Sequence, residues 1–435
     1  MGRNLFHSLC HVLLGGVLGL SLALAGQVDI KTFKVVTPDG IPLTVVRYLC
    51  PGVPLRNPMV RVEGTGATTW LGQNPMKDIC SKEGAAYLVH PRGQGAGQHL
   101  NMAPEDIARS PDAIPPTQGR PKYGMWNMPA DFDQVVRFAQ DDLARLGCAN
   151  CRIDVSGHSL GAWIVTQWAG GMSLGADGVP RAASELSRQR LARVRAVVPM
   201  GVWDPAEFGL RYRVLAASAG PLENWFGSHD LQLPYDVGQD PMEFEAIQRG
   251  TRRALERQGV FARLPLMTAK MKDELVGHLA RIFVRNGIID MSEYSSEEVL
   301  EIARKGGSGQ IRGPLIAEYI QMIRNPGEMS SVTRQAVRNI GAQDVSLLLV
   351  ASEGDILTPA SHARKLERLA RDSGVARVEL LTMPDQSHVG MVYTEKSWRQ
   401  IHERLEAVVQ GKGPQSPTRT KACLSDRLGA LLRVW

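Results

Sequence analysis

A serine hydroxyl attacks an acyl carbon only when a base takes its proton and an acid orients that base. Three stretches of this chain offer those groups. Gly157-His158-Ser159-Leu160-Gly161 holds a candidate nucleophile in Ser159. Asp355, in Glu353-Gly354-Asp355-Ile356-Leu357-Thr358-Pro359, is a candidate acid, and His388, in Asp385-Gln386-Ser387-His388-Val389-Gly390, is a candidate base. The pentapeptide alone is a weak signal: with 44 glycines in 435 residues, chance supplies a Gly-x-Ser-x-Gly in roughly one such chain in four. Its setting says more. The strand-like Ile153-Asp154-Val155-Ser156 precedes it and the helical Ala162-Trp163-Ile164-Val165-Thr166-Gln167-Trp168 follows it. A serine between strand and helix takes a strained backbone conformation that flanking glycines accommodate, and the helix N-terminus points partial positive charge at developing negative charge.

Each candidate has a rival. Ser159 can be read as a structural turn residue. Asp355 competes with the adjacent Glu353 and with Asp204 at the end of an earlier apolar run, but only the Asp355 loop has the full pattern. His388 competes with His362 and His402, whose helical settings suit solvated surface residues. Trp163, Trp168, Trp203 and Trp225 read as packing residues before they read as a substrate platform.

The elements that must position these groups follow from hydrophobic rhythm. Phe33 to Val36 and Leu43 to Leu49 flank Thr37-Pro38-Asp39-Gly40 and predict an opening hairpin. Short apolar runs then recur at Met59 to Val62, Ala85 to Val89, Arg152 to Ser156, Val194 to Met200, Ser346 to Ala351 and Val378 to Thr382, alternating with helical stretches. That alternation predicts an α/β fold with a mainly parallel sheet and helices on both faces. Between Asp204 and Gly341 the rhythm breaks into helical periodicity, which predicts an inserted helical lid or cap over 205–340. The core is then expected in two parts, 26–204 and 341–408. Lys305-Gly-Gly-Ser-Gly reads as a flexible hinge or a disordered turn, and 409–435 as a polar linker with a short amphipathic end.

Over roughly 27–204 and 341–408 the sequence resembles the α/β-hydrolase superfamily. Val60-Arg61-Val62-Glu63-Gly64-Thr65-Gly66 is similar to its strand and His-Gly-x-Gly oxyanion loop, and His90-Pro91-Arg92-Gly93-Gln94-Gly95 to its Asp-x-Arg-Gly-x-Gly turn; the elbow, the Asp-x-x-x-Pro loop and the histidine loop follow in order. The resemblance implies a serine esterase or lipase with a Ser159–His388–Asp355 triad and an oxyanion hole made by the backbone N–H groups of Leu160 and Thr65. It implies no cofactor and no metal. Glu63 stands where the family usually has histidine and His90 where it usually has aspartate. Glu63 either shapes the loop and the charge preference of the site or faces solvent. An aminopeptidase or amidase uses the same machinery, with lid acids such as Glu243, Glu245, Glu297 or Glu298 holding an amine; those four also read as exposed helix charges. A non-catalytic binding protein of this fold is the reading from another class.

Composition bounds the rest. The chain is 43% hydrophobic and 22% charged, the balance of a folded protein large enough for a domain plus an insertion. A net charge of +6 spread along helices gives no case for a nucleic-acid partner. The expected partner is a small-molecule or lipid-like ester. Residues 1–25 read as a signal peptide ending at Ala23-Leu24-Ala25, which predicts an exported protein, periplasmic or secreted, with no stable membrane span once cleaved. The alternative is an uncleaved anchor, since Leu5 to Ala25 nearly reaches a bilayer-spanning length, against which His7, Cys10, His11 and the glycines of that stretch speak. Five cysteines would then remain, enough for at most two disulfides and one leftover thiol. Cys148-x-x-Cys151 precedes a strand, so a local disulfide or two plain thiols is favoured over a redox or zinc site. The sequence says nothing of oligomeric state.

Overall fold

The computed structural model describes residues 28–204 except 68, 95–100, 102, 104 and 106–119; residue 207; 277–303 except 279, 282 and 286; and 312–412 except 356 and 385. The predicted signal segment, the hinge at 305–309, Trp225, Glu243, Glu245, Cys423 and the C-terminal end lie outside the described residues.

Strand β1 (Asp29–Val36) and strand β2 (Pro42–Leu49) form the expected antiparallel hairpin. Its turn closes because Thr37 Oγ1 accepts the Ile41 N–H at 2.9 Å and Gly40 takes φ +84°, a conformation that favours glycine. Five further strands and the last complete an eight-stranded sheet: β3 (Met59–Val62), β4 (Ala85–Val89), β5 (Ile153–His158), β8 (Val194–Met200), β9 (Ser346–Ser352) and β10 (Arg377–Met383), in the order β1-β2-β4-β3-β5-β8-β9-β10. From β4 onward every pairing is parallel. All eight runs read from the sequence are strands of this sheet. A two-stranded hairpin, β6 (Met172–Leu174) with β7 (Pro180–Ala182), is additional and too short to leave a periodic signal.

Because side chains alternate across each strand, the sheet buries two separate sets of residues. Val45, Val60, Tyr87, Val155, Val197 and Leu349 face helices α2 (Met128–Arg145) and α3 (Leu160–Ala169). Val46, Met59, Leu88, Val198 and Val350 face α1 (Thr69–Glu83) and the last helix, whose Trp398, Ile401 and Leu405 join them. Burying each large apolar side chain contributes about 1.5–3 kcal/mol, so both helical layers are held by the sheet they cover.

After α4 (Ser184–Leu191) and β8, the described part of the long interval before β9 is helical: turns between 277 and 285, then α5 (Ser296–Glu301), α6 (Gly313–Arg324) and α7 (Gly327–Gly341). One of these departs from the expectation of a single inserted unit. Met329, Val332, Val337 and Ile340 of α7 belong to the main core, Gln167 of α3 donates to Thr333 at 2.7 Å, and Asn339 donates to the Gly170 carbonyl at 2.8 Å. Helix α7 is therefore part of the layer beside α3. Its amphipathic period reveals a buried face but not what buries it. Helix α8 (Ala360–Asp372) links β9 to β10, and α9 (Gly390–Tyr393) and α10 (Glu395–Val409) close the chain, with Thr394 capping α10 by accepting the Ser397 N–H at 3.2 Å. No helix among the described residues is long and apolar enough to cross a membrane.

Candidate active site

In this sheet β4 and β5 lie on opposite sides of β3. The crevice beyond the carboxyl ends of such strands is where open α/β sheets collect functional groups. Ser159 sits there, between β5 and α3, with φ 56° and ψ −117°; it is the sole non-glycine residue with positive φ among the described residues. The flanking glycines are required sterically. A Cβ on Gly157 would collide with the Gly161 carbonyl, and one on Gly161 with the Val62 carbonyl. The strain is held in place because the Ser159 N–H donates to Met200 O at 2.9 Å and the Ser159 carbonyl caps the helix by accepting from Ala162 and Trp163.

Asp355 and His388, from the loops after β9 and β10, meet at 2.7 Å between Oδ2 and Nδ1. A carboxylate only accepts, so Nδ1 carries a proton, which leaves Nε2 as the ring nitrogen that can take up or release one. The other Asp355 oxygen accepts the N–H groups of Leu357 and Thr358, each at 2.9 Å, and the Thr358 hydroxyl donates to Oδ2. Burial works against a charged carboxylate here, yet the His388 charge and the hydrogen bonds from His388 and Thr358 outweigh it and hold Asp355 well below the usual carboxylate range.

Gly201 brings the two halves together. It follows Met200, whose carbonyl holds Ser159, and a Cβ built on it would lie 3.4 Å from His388 Cε1. His158, beside Ser159, sets its ring 4.5 Å from that of His388, tilted by 39° to it, and places Nε2 3.0 Å from the His388 carbonyl. A carbonyl cannot donate, so His158 Nε2 does. Burial first, then the nearby charges of His388 and Arg61, push His158 well below the ordinary imidazole range and keep it neutral. Among the described residues the Ser159 hydroxyl makes no hydrogen bond.

The loop after β3 abuts Ser159: a Cβ on Gly64 would lie 3.1 Å from Ser159 Cβ. Leu160, the first residue of α3, has an N–H with no acceptor inside its own helix. Thr65, next to Gly64, shares a hydrogen bond through Oγ1 with the Tyr319 hydroxyl of α6. Tyr319 in turn lies edge-on to Trp203, which stacks on Trp163. The solvent-facing reading of Glu63 is corrected. Its side chain is fully buried, paired with the equally buried Arg61 at 3.0 Å and accepting from the Tyr393 hydroxyl at 2.6 Å. Arg61 also lies over the rings of Tyr393 and Trp398. Glu63 thus shapes the loop from within and presents no free charge to a substrate.

No family model matches the sequence, and no curated protein does. Solved structures do. A thermostable carboxyl esterase from Bacillus coagulans, in complex with glycerol, superimposes with a TM-score of 0.51 at 10% identity, covering 88% of this chain and 98% of that one. The chain has the α/β-hydrolase fold. Two α/β proteins of Saccharomyces cerevisiae also align: a peroxisomal alpha-beta-hydrolase at TM-score 0.48 and 11% identity, covering 94% and 96% of the two chains, and a soluble variant of monoglyceride lipase in complex with a substrate analog at 0.47 and 12%, covering 90% and 97%.

Within this α/β-hydrolase fold the rival residues have other engagements. Asp204 accepts from Ser330 Oγ at 2.5 Å and Arg334 Nε at 3.2 Å, tying the end of β8 to α7. His362 is buried, contrary to the solvated setting expected of it, and faces the Asp204 N–H at 3.4 Å. His402 is half-buried near Glu83. Glu353 is paired with Arg364. Glu297 and Glu298 are exposed on α5, where Glu298 closes a capping box with Ser295. Arg92, in the turn after β4, is a buried clamp on Asp131 and Asp39. Cys148 pairs with Cys151, and Cys50 with Cys80. No group of three potential metal ligands exists among the described residues. Sequence reasoning did not single out Thr358, Tyr319, Tyr393 or Glu293 as site residues. Thr358 was within reach, lying three residues beyond Asp355, and Tyr393 follows His388 by five; Tyr319 and Glu293 arrive from distant parts of the chain and carry no local signal.

Proposed function

We propose that the chain is an exported serine hydrolase that cleaves a carboxylic ester through an acyl-enzyme. The observation that carries this reading is the 2.7 Å Asp355–His388 pair, set at the same sheet edge as the strained Ser159. His388 Nε2 takes the Ser159 proton as the hydroxyl attacks the ester carbonyl, and Asp355 stabilises the imidazolium that forms. The backbone N–H groups of Leu160 and Thr65 receive the negative charge of the tetrahedral intermediate; one such donor is typically worth about 3 kcal/mol. The proton then passes to the departing alcohol, and water, activated by the same histidine, releases the acid. The missing Ser159 hydrogen bond does not oppose this, since serine–histidine pairs often tighten only around the substrate. Two disulfides support an oxidising compartment and hence export. The buried ring of Trp203 and the partly buried ring of Tyr319 beside Thr65 favour an apolar acyl group. The ester-cleaving Bacillus coagulans relative in fold points the same way. The competing aminopeptidase reading draws no support from Glu297 and Glu298, which are engaged at a helix terminus or exposed.

A fluorophosphonate probe tests the assignment directly. The wild type is expected to be labelled and Ser159→Ala not; a well-folded wild type that resists labelling would sink the reading.

A further inference from the structure

The loop that carries His388 is held from both sides, and one side belongs to the segment inserted between β8 and β9. Ser387, immediately before the histidine, donates to the Glu293 carboxylate twice, once from its backbone N–H and once from its hydroxyl at 2.5 Å. The same hydroxyl accepts the Gly390 N–H at 3.0 Å, closing the loop on itself. Val389, immediately after the histidine, donates its N–H to the Ile288 carbonyl at 3.0 Å. Its side chain packs with Ile289, Val299 and Ala303 of the insertion and with Ala67 and Leu71 beyond the oxyanion loop. Glu293 lies so close to Gly390 that a Cβ there would collide with its carboxylate. From the sheet side the fixings are fewer: His158 holds the His388 carbonyl, and Ser352 holds that of Gln386.

We propose that Glu293 is a positioning residue for His388: its carboxylate grips Ser387 through both oxygens and fixes the backbone from which the imidazole projects toward Ser159. This rests on the serine-hydrolase reading above. The physical argument concerns precision. Asp355 fixes one end of the ring, at Nδ1, but a ring hinged at one nitrogen can still swing the other. Where Nε2 points depends on where the backbone of residues 387–389 is held. A misplacement of about 1 Å in a reacting group can cost on the order of a hundredfold in rate. Glu293 suits the task because a carboxylate offers two acceptors in a fixed plane, matched here to two donors of a single residue. Its half-buried carboxyl is raised above the usual range, chiefly by burial and against the pull of those two hydrogen bonds. Any displacement of the 288–293 segment would carry Ser387 and Val389 with it, so the placement of the insertion and the competence of the histidine are mechanically joined.

The test separates the maximal labelling rate of a fluorophosphonate probe from its affinity, in wild type, Glu293→Gln, Glu293→Ala and Ser387→Ala. Glu293→Gln and Ser387→Ala each retain part of the grip and are expected to slow labelling about tenfold. Glu293→Ala loses both acceptors and is expected to slow it about a hundredfold. Probe affinity should stay within about twofold of wild type throughout, because nothing that binds the probe has been removed. Labelling of Glu293→Ala at the wild-type rate would overturn the proposal. So would a loss shared by rate and affinity that follows the fall in melting temperature, the mark of a merely structural residue. If Glu293→Ala does not fold, Glu293→Gln and Ser387→Ala decide by the same criteria. A wild type that is itself unlabelled brings down the hydrolase reading, whereas a labelled wild type with an unaffected Glu293→Ala brings down the positioning role alone.

Discussion

Two buried carboxyl groups stand in this molecule under nearly equal cover and in opposite states. Asp355 is 2% exposed and Glu318, on α6, is 6% exposed. Burial pushes both toward the neutral form. In Asp355 four donors converge on two oxygens, one of them the His388 ring, and the group stays ionised. In Glu318 only the Met125 N–H donates, at 2.5 Å, and the second oxygen has no partner among the described residues; its pKa is pushed up to about 8. The difference lies in backbone geometry. Asp355 sits in a tight turn whose own N–H groups curl back onto it, whereas a helical residue has its neighbouring N–H groups already spent on the helix. Charge at a buried site is therefore decided by the donors within reach.

The sharpest way to break this comparison is to remove the charge of Asp355 while keeping its shape. In Asp355→Asn the amide can no longer hold His388 with Nδ1 protonated, and ester turnover is expected to fall about 10³–10⁴-fold with the fold retained. Turnover with nitrophenyl esters, alongside circular dichroism, measures it. A variant keeping more than about a tenth of wild-type turnover would mean that the Asp355 charge is not what orients the base.

A smaller change removes one donor. Thr358→Val deletes the hydroxyl that donates to Asp355 Oδ2 but leaves the backbone N–H. Turnover is expected to fall about tenfold, and stability at pH 7 by about 1.5–3 kcal/mol, the range for a hydrogen bond to a charged group. The sign of the pH dependence follows from the lowered pKa. Asp355 contributes stability that is present above its unfolded value near 4 and is lost as pH falls toward its depressed folded value. The variant holds Asp355 less far below that value, so the stability gap should be full at pH 7 and shrink only as pH falls past the variant's own folded value, toward about pH 2. Urea unfolding at the two pH values reads this; an unchanged gap would show that Thr358 matters for packing alone.

How much of this was visible in the sequence depends on how far each interaction reaches along the chain. All eight sheet strands were legible because each is a short apolar run bounded by turns. Ser159, Asp355 and His388 could be singled out as candidates because each sits in a local pattern following a strand. The burial of Glu63 was not legible, since Tyr393, which covers it, lies 330 residues away along the chain and a carboxylate after a strand looks solvated by default. Tyr319 and Glu293 reach the site from helices and turns whose periodicity reports only that some face is buried. Helix α7 gave the same ambiguity, and its face turned out to be core.

Glu318→Gln is expected to have the least effect on catalysis and to complete the comparison from the other side. Glutamine keeps an oxygen for the Met125 N–H and cannot ionise. Because the wild-type carboxyl has a raised pKa, the unfolded chain gives up its proton near the usual value of about 4.5 while the folded protein keeps it up to about 8. Over that interval the folded state binds the extra proton, so wild-type stability declines as pH rises. Each unit of separation corresponds to about 1.4 kcal/mol. Relative to wild type, Glu318→Gln should therefore gain stability progressively between pH 4.5 and 8 and hold a constant advantage above that, the reverse of the trend at Thr358. Thermal melts of both proteins at pH 5 and pH 8.5 measure it. A melting-temperature difference that is the same at both values would mean that Glu318 is ionised in the folded protein after all, with a donor supplied to its second oxygen, and the contrast with Asp355 would disappear.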